Sequence, residues 1–279
     1  MSAPEGVRPA GFQAPPFDAV LDLCGYPVTA RLRALFAGNQ YMVLPDLFSS
    51  FLASDPGAGP IFYETLPPGV LTEQLRRGGL RMGSLELRFT PDLIAAGPDA
   101  LARLHREGLV ESPAGYAGNV LALLVASGDP CDVGGMDDLG RAGLRVALPN
   151  PETEGIGGLA LRTLQAAGGS ELRDRVFLAK RGIGETVLTS IHQRQAPAWL
   201  REGSIDVAVV WDTEARHLVG AGAPVERVGI EASVNQRGRY AAAVVSRAPH
   251  HAAAGSLLRH LSGPDGASTY QRYGFSTGT

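Results

Sequence analysis

The stretch "NVLALLVASGDP" at residues 119–130 opens with an unbroken apolar run that does not alternate with polar residues. A strand with one wet face alternates, so a run of this kind reads as a strand buried on both faces. It is too short for the 18 or more residues of a membrane-spanning helix, and no other apolar run is longer. Burying both faces requires helices above and below a sheet, and the rest of the chain supplies them.

Strand and helix patterns alternate along the sequence. "LRALFAGNQ" (32–40) reads as a strand ending in a Gly-Asn turn, followed by the helical pattern "YMVLPDLFSSFLAS" with Pro45 in its first turn. A strand at 60–63, a Pro-Gly turn at 67–69 and a helix closed by Gly78-Gly79 repeat the plan. "SLELRFT" alternates like a strand, and 99–107 reads as a short helix. After the central run come strand, turn and helix in "GLRVALPNPETEGIGGLALRTLQAAGG", then an expected strand at "RVFLA" (175–179) and a helix around 197–202. Strands at 206–211 and 240–246 follow, with two final helices separated by Gly263-Pro264. This alternation predicts a parallel α/β sheet in two halves that meet near residue 119.

Composition excludes several classes. The net charge of −3 gives no reason to expect a nucleic acid or membrane surface as partner. Of the 25 basic residues only Lys180 is a lysine, so the identity of any single arginine carries little information. The opening "MSAPEGVRPAGFQAPPF" (1–17) lacks the basic and apolar regions of a signal peptide and reads as a flexible tail. The chain is therefore either cytosolic or numbered after a removed signal. Cys24 and Cys131 form no CxxC motif, and two unpaired structural thiols are expected. There is no GxSxG elbow, P-loop or complete dinucleotide fingerprint, and no nucleophile–base pair can be argued.

Ligands of α/β sheets bind at the carboxyl ends of strands, where strand-to-helix turns gather. Four turns qualify here: "AGNQ", "ETLPPG", "NPETEGIGG" and "TSIHQRQAP". Helix N-termini with unpaired N–H groups favour an anion, and Gly155, Gly157 and Gly158 allow a ligand close to the backbone. Asn39 and Gln40 supply amides, Thr65, Thr153 and Thr189 hydroxyls, and Arg194 a planar guanidinium suited to a carboxylate or oxyanion. His192 stands beside Arg194, and Glu64 is a candidate partner to orient that arginine. Glu64, Glu152, Glu154 and His192 also leave open a divalent cation or amine as ligand. His250-His251 reads as a solvated helix start, and Asp212, Glu214 and His217 as capping residues after a strand.

"LRVALPNPETEGIGGLALRTL", "LALLVASGDP", "REGSIDVAVVWDTEA" and "LLRHLSGPDGASTYQRYGF" resemble periplasmic solute-binding proteins of the molybdate- and tungstate-binding type. The most specific parts are the Asn150–Thr153 turn and the closing Tyr273-Gly274-Phe275, and the resemblance runs from about residue 33 to 275. It implies an α/β, two-lobed periplasmic-binding-protein-like fold, with mixed sheets flanked by helices and a hinge between the lobes. Lobe 1 is expected to hold residues 18–118 plus about 247–279, and lobe 2 residues 119–246.

The resemblance further implies a monomer outside the cytoplasm, without a cofactor, that captures a small anion for the permease of an ATP-driven importer. The ligand set it implies is Asn39, Gln40, Glu64, Thr65, Thr153, Glu154, Gly155, Thr189, His192 and Arg194. The turns depart from the family pattern. Gly38-Asn39-Gln40 stands where a serine is usual, and Glu64–Gly69 replaces a Gly-Ala-Ser-Gly turn. Glu152-Thr153-Glu154 brings carboxylates to a segment that is normally uncharged. An enzyme on the same fold, using Glu64 and His192 as acid and base, is the alternative from another class. A cytosolic sensor domain is a third, weakened because no helix-turn-helix precedes the fold.

Overall fold

A computed structural model of the chain describes residues 21–82, 85–190 and 194–278. The expected tail at 1–17 and His192 lie outside these residues.

The first half holds strands β1 (Leu23–Cys24), β2 (Leu32–Ala37) and β3 (Ile61–Leu66), with helix α1 (Leu44–Ser54) between the last two. Helix α2 (Pro68–Arg77), the small hairpin β4 (Gly79–Met82) and β5 (Leu85–Arg88), strand β6 (Leu93–Ala96) and helix α3 (Pro98–Arg106) follow. Strand β7 (Ala114–Ala126) leads into the second half. That half contains β8 (Val146–Leu148), α4 (Gly155–Asp174), α5 (Lys180–Gly182), β9 (Thr186–Leu188) and α6 (Gln195–Arg201). It continues through β10 (Val207–Trp211), α7 (Asp212–Gly220) and β11 (Val225–Gly229). Strand β12 (Arg237–Val244) returns the chain, and α8 (His251–Ser262) and α9 (Pro264–Arg272) close it. Helices α2, α3 and α9 each start on proline, whose fixed φ and missing N–H suit the first helical position.

The strands form one path, β1-β3-β2-β6-β12-β7-β10-β8-β9, with β11 added to β7. Parallel pairing holds on both sides of the centre, β3-β2-β6 in one lobe and β10-β8-β9 in the other. The centre is antiparallel: β12 pairs with β6 through Ala241–Val244 and with β7 through Arg237–Ala242. Farther along, β7 pairs with β10 and β11. Two long strands therefore carry the chain between lobes, with a register shift at Tyr240/Ala241 where β12 meets β7.

Two apolar clusters sandwich each half of the sheet. Those of lobe 1 run through Phe36, Leu47, Tyr116, Leu257 and Tyr270 on one face and Leu35, Leu71, Ile94 and Leu101 on the other. Those of lobe 2 run through Leu123, Val146, Leu164 and Val209, and through Leu124, Ala147, Leu200 and Val210. Core residues change lobe on β7 between Ala117 and Leu121. On the return, Tyr240–Val245 of β12 pack into the lobe 1 clusters.

Three local differences from the sequence reading have physical causes. "RVFLA" is not a strand but a π-helical turn, Arg175–Ala179, that continues α4 after a kink at Gly168-Gly169. Leu172 and Val176 are buried there at i, i+4 spacing while Leu178 is exposed, a helical pattern and not an alternating one. Asp212, Glu214 and His217 do more than cap a turn, since they lie within helix α7. His250 and His251 are not simply solvated: His250 pairs with buried Asp92, and His251 with Glu111. Cys24 and Cys131 are free thiols. Lys180 is buried and donates through Nζ to the carbonyl oxygens of Arg141 and Leu144.

Candidate functional site

The carboxyl ends of β2, β3 and β6 face those of β8, β9 and β10 across the space between the lobes. One cavity there, of about 410 Å³, is lined from lobe 1 by Ala37–Asn39, Pro67, Pro68 and Gly97–Asp99. Lobe 2 contributes Glu154–Ile156, Leu159, Arg162 and Trp211, and β12 contributes Arg237–Tyr240. Three arginines thus line it together with two acidic residues, Asp99 and Glu154. Arg162, Arg237 and Arg239 are exposed and form no ion pair among the described residues. The Trp211 indole lies so close to Gly238 that a β-carbon there would stand 2.4 Å from the ring. Leu159 closes the same apolar wall.

A second cavity, of about 570 Å³, also draws on both lobes. Cys24, Tyr41, Tyr63 and Thr65 line it from lobe 1, and Arg194, Pro197, Arg201, Glu214 and His217 from lobe 2. Arg194 is bound within the protein. Its Nη2 donates to Asp22 Oδ1 at 2.5 Å, with both side chains almost fully buried, and its guanidinium stacks over the Tyr41 ring at 5.4 Å. Thr65 Oγ1 donates to the same Asp22 oxygen at 3.3 Å. An ion pair between residue 22 and residue 194 therefore spans the lobes.

Of the polar cluster at 189–195, the described residues Thr189, Ser190, Arg194 and Gln195 are taken up in structure. The Thr189 hydroxyl accepts the Asn150 N–H at 3.0 Å and donates to the buried Glu154 carboxylate. The side chain of Gln195 turns back on Ser190, accepting its N–H at 2.7 Å. These bonds fasten the turn after β9 to the turn after β8, while Arg194 reaches into the opposite lobe.

The candidate residues are brought together only in part. Asn39, Glu154 and Gly155 line the arginine-bearing cavity, whereas Thr65 and Arg194 line the other. The Asn39 amide donates to the Tyr240 hydroxyl. Gln40 does not serve as a donor at the cleft: it is fully buried, and its Oε1 accepts the hydroxyls of Tyr116 at 2.6 Å and Tyr270 at 2.7 Å. Thr153 is exposed and lines neither cavity.

Glu64 is displaced from its expected role because β3 runs three residues beyond the expected strand end at 63, through Leu66. Within a strand, successive side chains point to opposite faces, so Thr65 faces the second cavity and Glu64 the helix side. There Glu64 accepts Gln74 Nε2 of α2 at 3.0 Å, and the partner of Arg194 is Asp22. Burial pushes the Glu64 carboxyl up to about 8, with the Gln74 hydrogen bond opposing and the charge of Asp22 adding to it. The set Glu64, Glu152, Glu154 and His192 considered for a cation is not gathered: Glu64 lies across the sheet, Glu152 is exposed outside both cavities, and His192 lies outside the described residues.

Asp22, Arg162, Trp211, Arg237, Arg239 and Tyr240 were not singled out from sequence. Asp22 pairs 172 positions away, a separation that leaves no local signal. The rim arginines are hidden by the abundance of arginine in the chain.

The fold is shared with known binding proteins. The sulfate-binding protein SubI from Mycobacterium tuberculosis superposes with a TM-score of 0.72 at 20% identity, covering 88% of this chain and 86% of that one. The periplasmic molybdate-binding protein of Azotobacter vinelandii gives 0.71 at 17% identity, over 89% and 100%. PEB3 of Campylobacter jejuni, bound to L-phospholactate, gives 0.69 at 13% identity, over 88% and 100%. No curated protein matches by sequence. The sequence pattern of one family matches residues 32–276, nearly the whole described chain, and the protein belongs to the bacterial extracellular solute-binding proteins.

Proposed function

We propose that the chain is the solute-binding component of an ABC-type importer and captures a small anion between its lobes. It works outside the cytoplasmic membrane as a monomer, and its closed form is what the membrane permease recognises. The observation that carries this reading is the cavity at the strand ends, where Arg162, Arg237 and Arg239 outnumber Asp99 and Glu154. Guanidinium groups present several donors in a plane that matches carboxylate and oxyanion oxygens. Contributions from both lobes and from the crossing strand β12 couple ligand contact to the relative position of the lobes. Sulfate, molybdate and L-phospholactate, named for the three similar structures, are all anions, which supports the same reading.

A thermal-shift screen of the purified protein tests it. A ligand at 100 times its Kd stabilises the fold by about 2.7 kcal/mol, which is several degrees in Tm for a chain of this size. Sulfate, molybdate, tungstate, phosphate, small carboxylates and phosphate esters form the panel, with divalent metals as the contrasting set. A shift with an anion is expected. A shift with metals alone would overturn the anion reading.

A further inference from the structure

Three features set the arginine-bearing cavity apart from a site for a bare oxyanion. Its backbone donors are reduced: Pro67 caps α2, and Pro68 and Pro98 open α2 and α3, so three positions facing the cavity carry no N–H. The start of α4 is already occupied, because its capping residue Glu154 is buried there and its carboxyl group accepts the Thr189 hydroxyl. A small anion placed there competes with that carboxyl group for the same helix end.

The third feature is size and wall chemistry. A tetrahedral oxyanion takes the room of roughly two or three waters, at about 30 Å³ each. The cavity has about 410 Å³, and one wall is the indole of Trp211 with Ile156 and Leu159. Pockets of about 300–1,000 Å³ with apolar walls and a few placed polar groups are those that hold organic ligands. The charged groups available to such a ligand are on side chains. Arg162 is turned towards the first turn of α4, with Nη1 3.6 Å from the place a Gly158 β-carbon would take. Arg237 and Arg239 stand two apart on β12, exposed at the edge of the cavity, while Gly238 between them turns the other way to the Trp211 wall.

We infer that the cleft binds an organic anion, its carboxylate or phosphate-ester head held by Arg162, Arg237 and Arg239 and its carbon body against Trp211, Ile156 and Leu159. This rests on the reading of the cavity as an anion site given above. The preference over a bare oxyanion follows from where the donors lie: on flexible side chains at a wide rim, not on backbone N–H groups converging on one point.

Isothermal titration of the full chain with two groups of probes tests the inference. Sulfate, molybdate and inorganic phosphate form one group. Succinate, benzoate, glycerol 3-phosphate and 3-phosphoglycerate form the other, and their carboxylate and ester members identify the head group. At least one organic probe is expected to bind 10-fold or more tightly than every inorganic one. The exposed pair R237A/R239A is expected to weaken that probe at least 10-fold without moving the unfolding midpoint. Sulfate or molybdate binding as tightly as the best organic probe would overturn the inference and leave the anion site standing. An organic probe bound equally well by R237A/R239A would overturn the placement of the head. Silence from both groups would overturn the inference and the anion reading together.

Discussion

The two cavities between the lobes both contain arginine, but the state of the charge differs. In the larger cavity Arg194 is buried, paired with Asp22 from the other lobe and stacked on Tyr41. In the smaller one Arg162, Arg237 and Arg239 are exposed and form no ion pair among the described residues. A buried cation needs a permanent counter-charge, since desolvation costs several kcal/mol per ion. An arginine at a wet rim has no such need and is available to a ligand. Position relative to solvent, and not residue type, separates the arginine that joins the lobes from those proposed to meet an anion.

The largest test of this contrast is Arg194→Ala. Removing one partner of a buried pair leaves Asp22 uncompensated, and a loss of about 3–5 kcal/mol is expected in denaturant unfolding. A loss below 1 kcal/mol would mean that the pair is exchangeable with water and that Arg194 belongs with the rim arginines. The next effect is Gly238→Ala, which sets a methyl group 2.4 Å from the Trp211 ring and 3.2 Å from Leu159 Cδ1. Overpacking of this kind costs about 1–3 kcal/mol, and it narrows the smaller cavity from its apolar wall. Unchanged stability together with unchanged affinity for the best organic anion would show that the indole is free to move aside.

Glu64→Gln sharpens the contrast from the side of the carboxylates. Asp22 is buried with an arginine, whereas Glu64 is buried against the Gln74 amide. The folded protein holds Glu64 protonated up to about pH 8, above the ordinary value of 4.5. Its contribution to stability is therefore full below pH 4.5 and is lost as pH rises towards 8, because the unfolded chain releases the proton first. The slope between those limits is about 1 kcal/mol per pH unit. Glu64→Gln is expected to flatten it in unfolding curves measured from pH 4 to 8, and a parallel pair of curves would place the titration elsewhere.

Much of the fold was legible because its main strands are apolar runs that need no partner to be recognised. β2, β7, β10 and β12 all lie where the sequence puts strands. Helix α7 was not, since "DTEARHLVG" looks like a polar turn until Ala215 and its neighbours are seen to be buried against β7 and β10. At the arginine-bearing cavity, the turns after β2, β3 and β8 are among those the sequence singles out, but the direction of individual side chains is not legible there. Three extra residues at the end of β3 turned Glu64 away from the cleft. Tyrosines 76 and 230 positions distant claimed Gln40. Such outcomes depend on pairings between remote segments, which periodicity cannot register.

Of the chain's two tryptophans, Trp211 lines the smaller cavity, while Trp199 packs against the second-lobe cluster. An indole at the wall of a cavity emits according to the polarity around it. The body of a ligand seated there would change the emission of Trp211 and leave that of Trp199 as an internal reference. If the proposed site is the one that fills, the close seat of the ring on Gly238 gives an intrinsic fluorescence signal for its occupancy, readable in the unlabelled molecule.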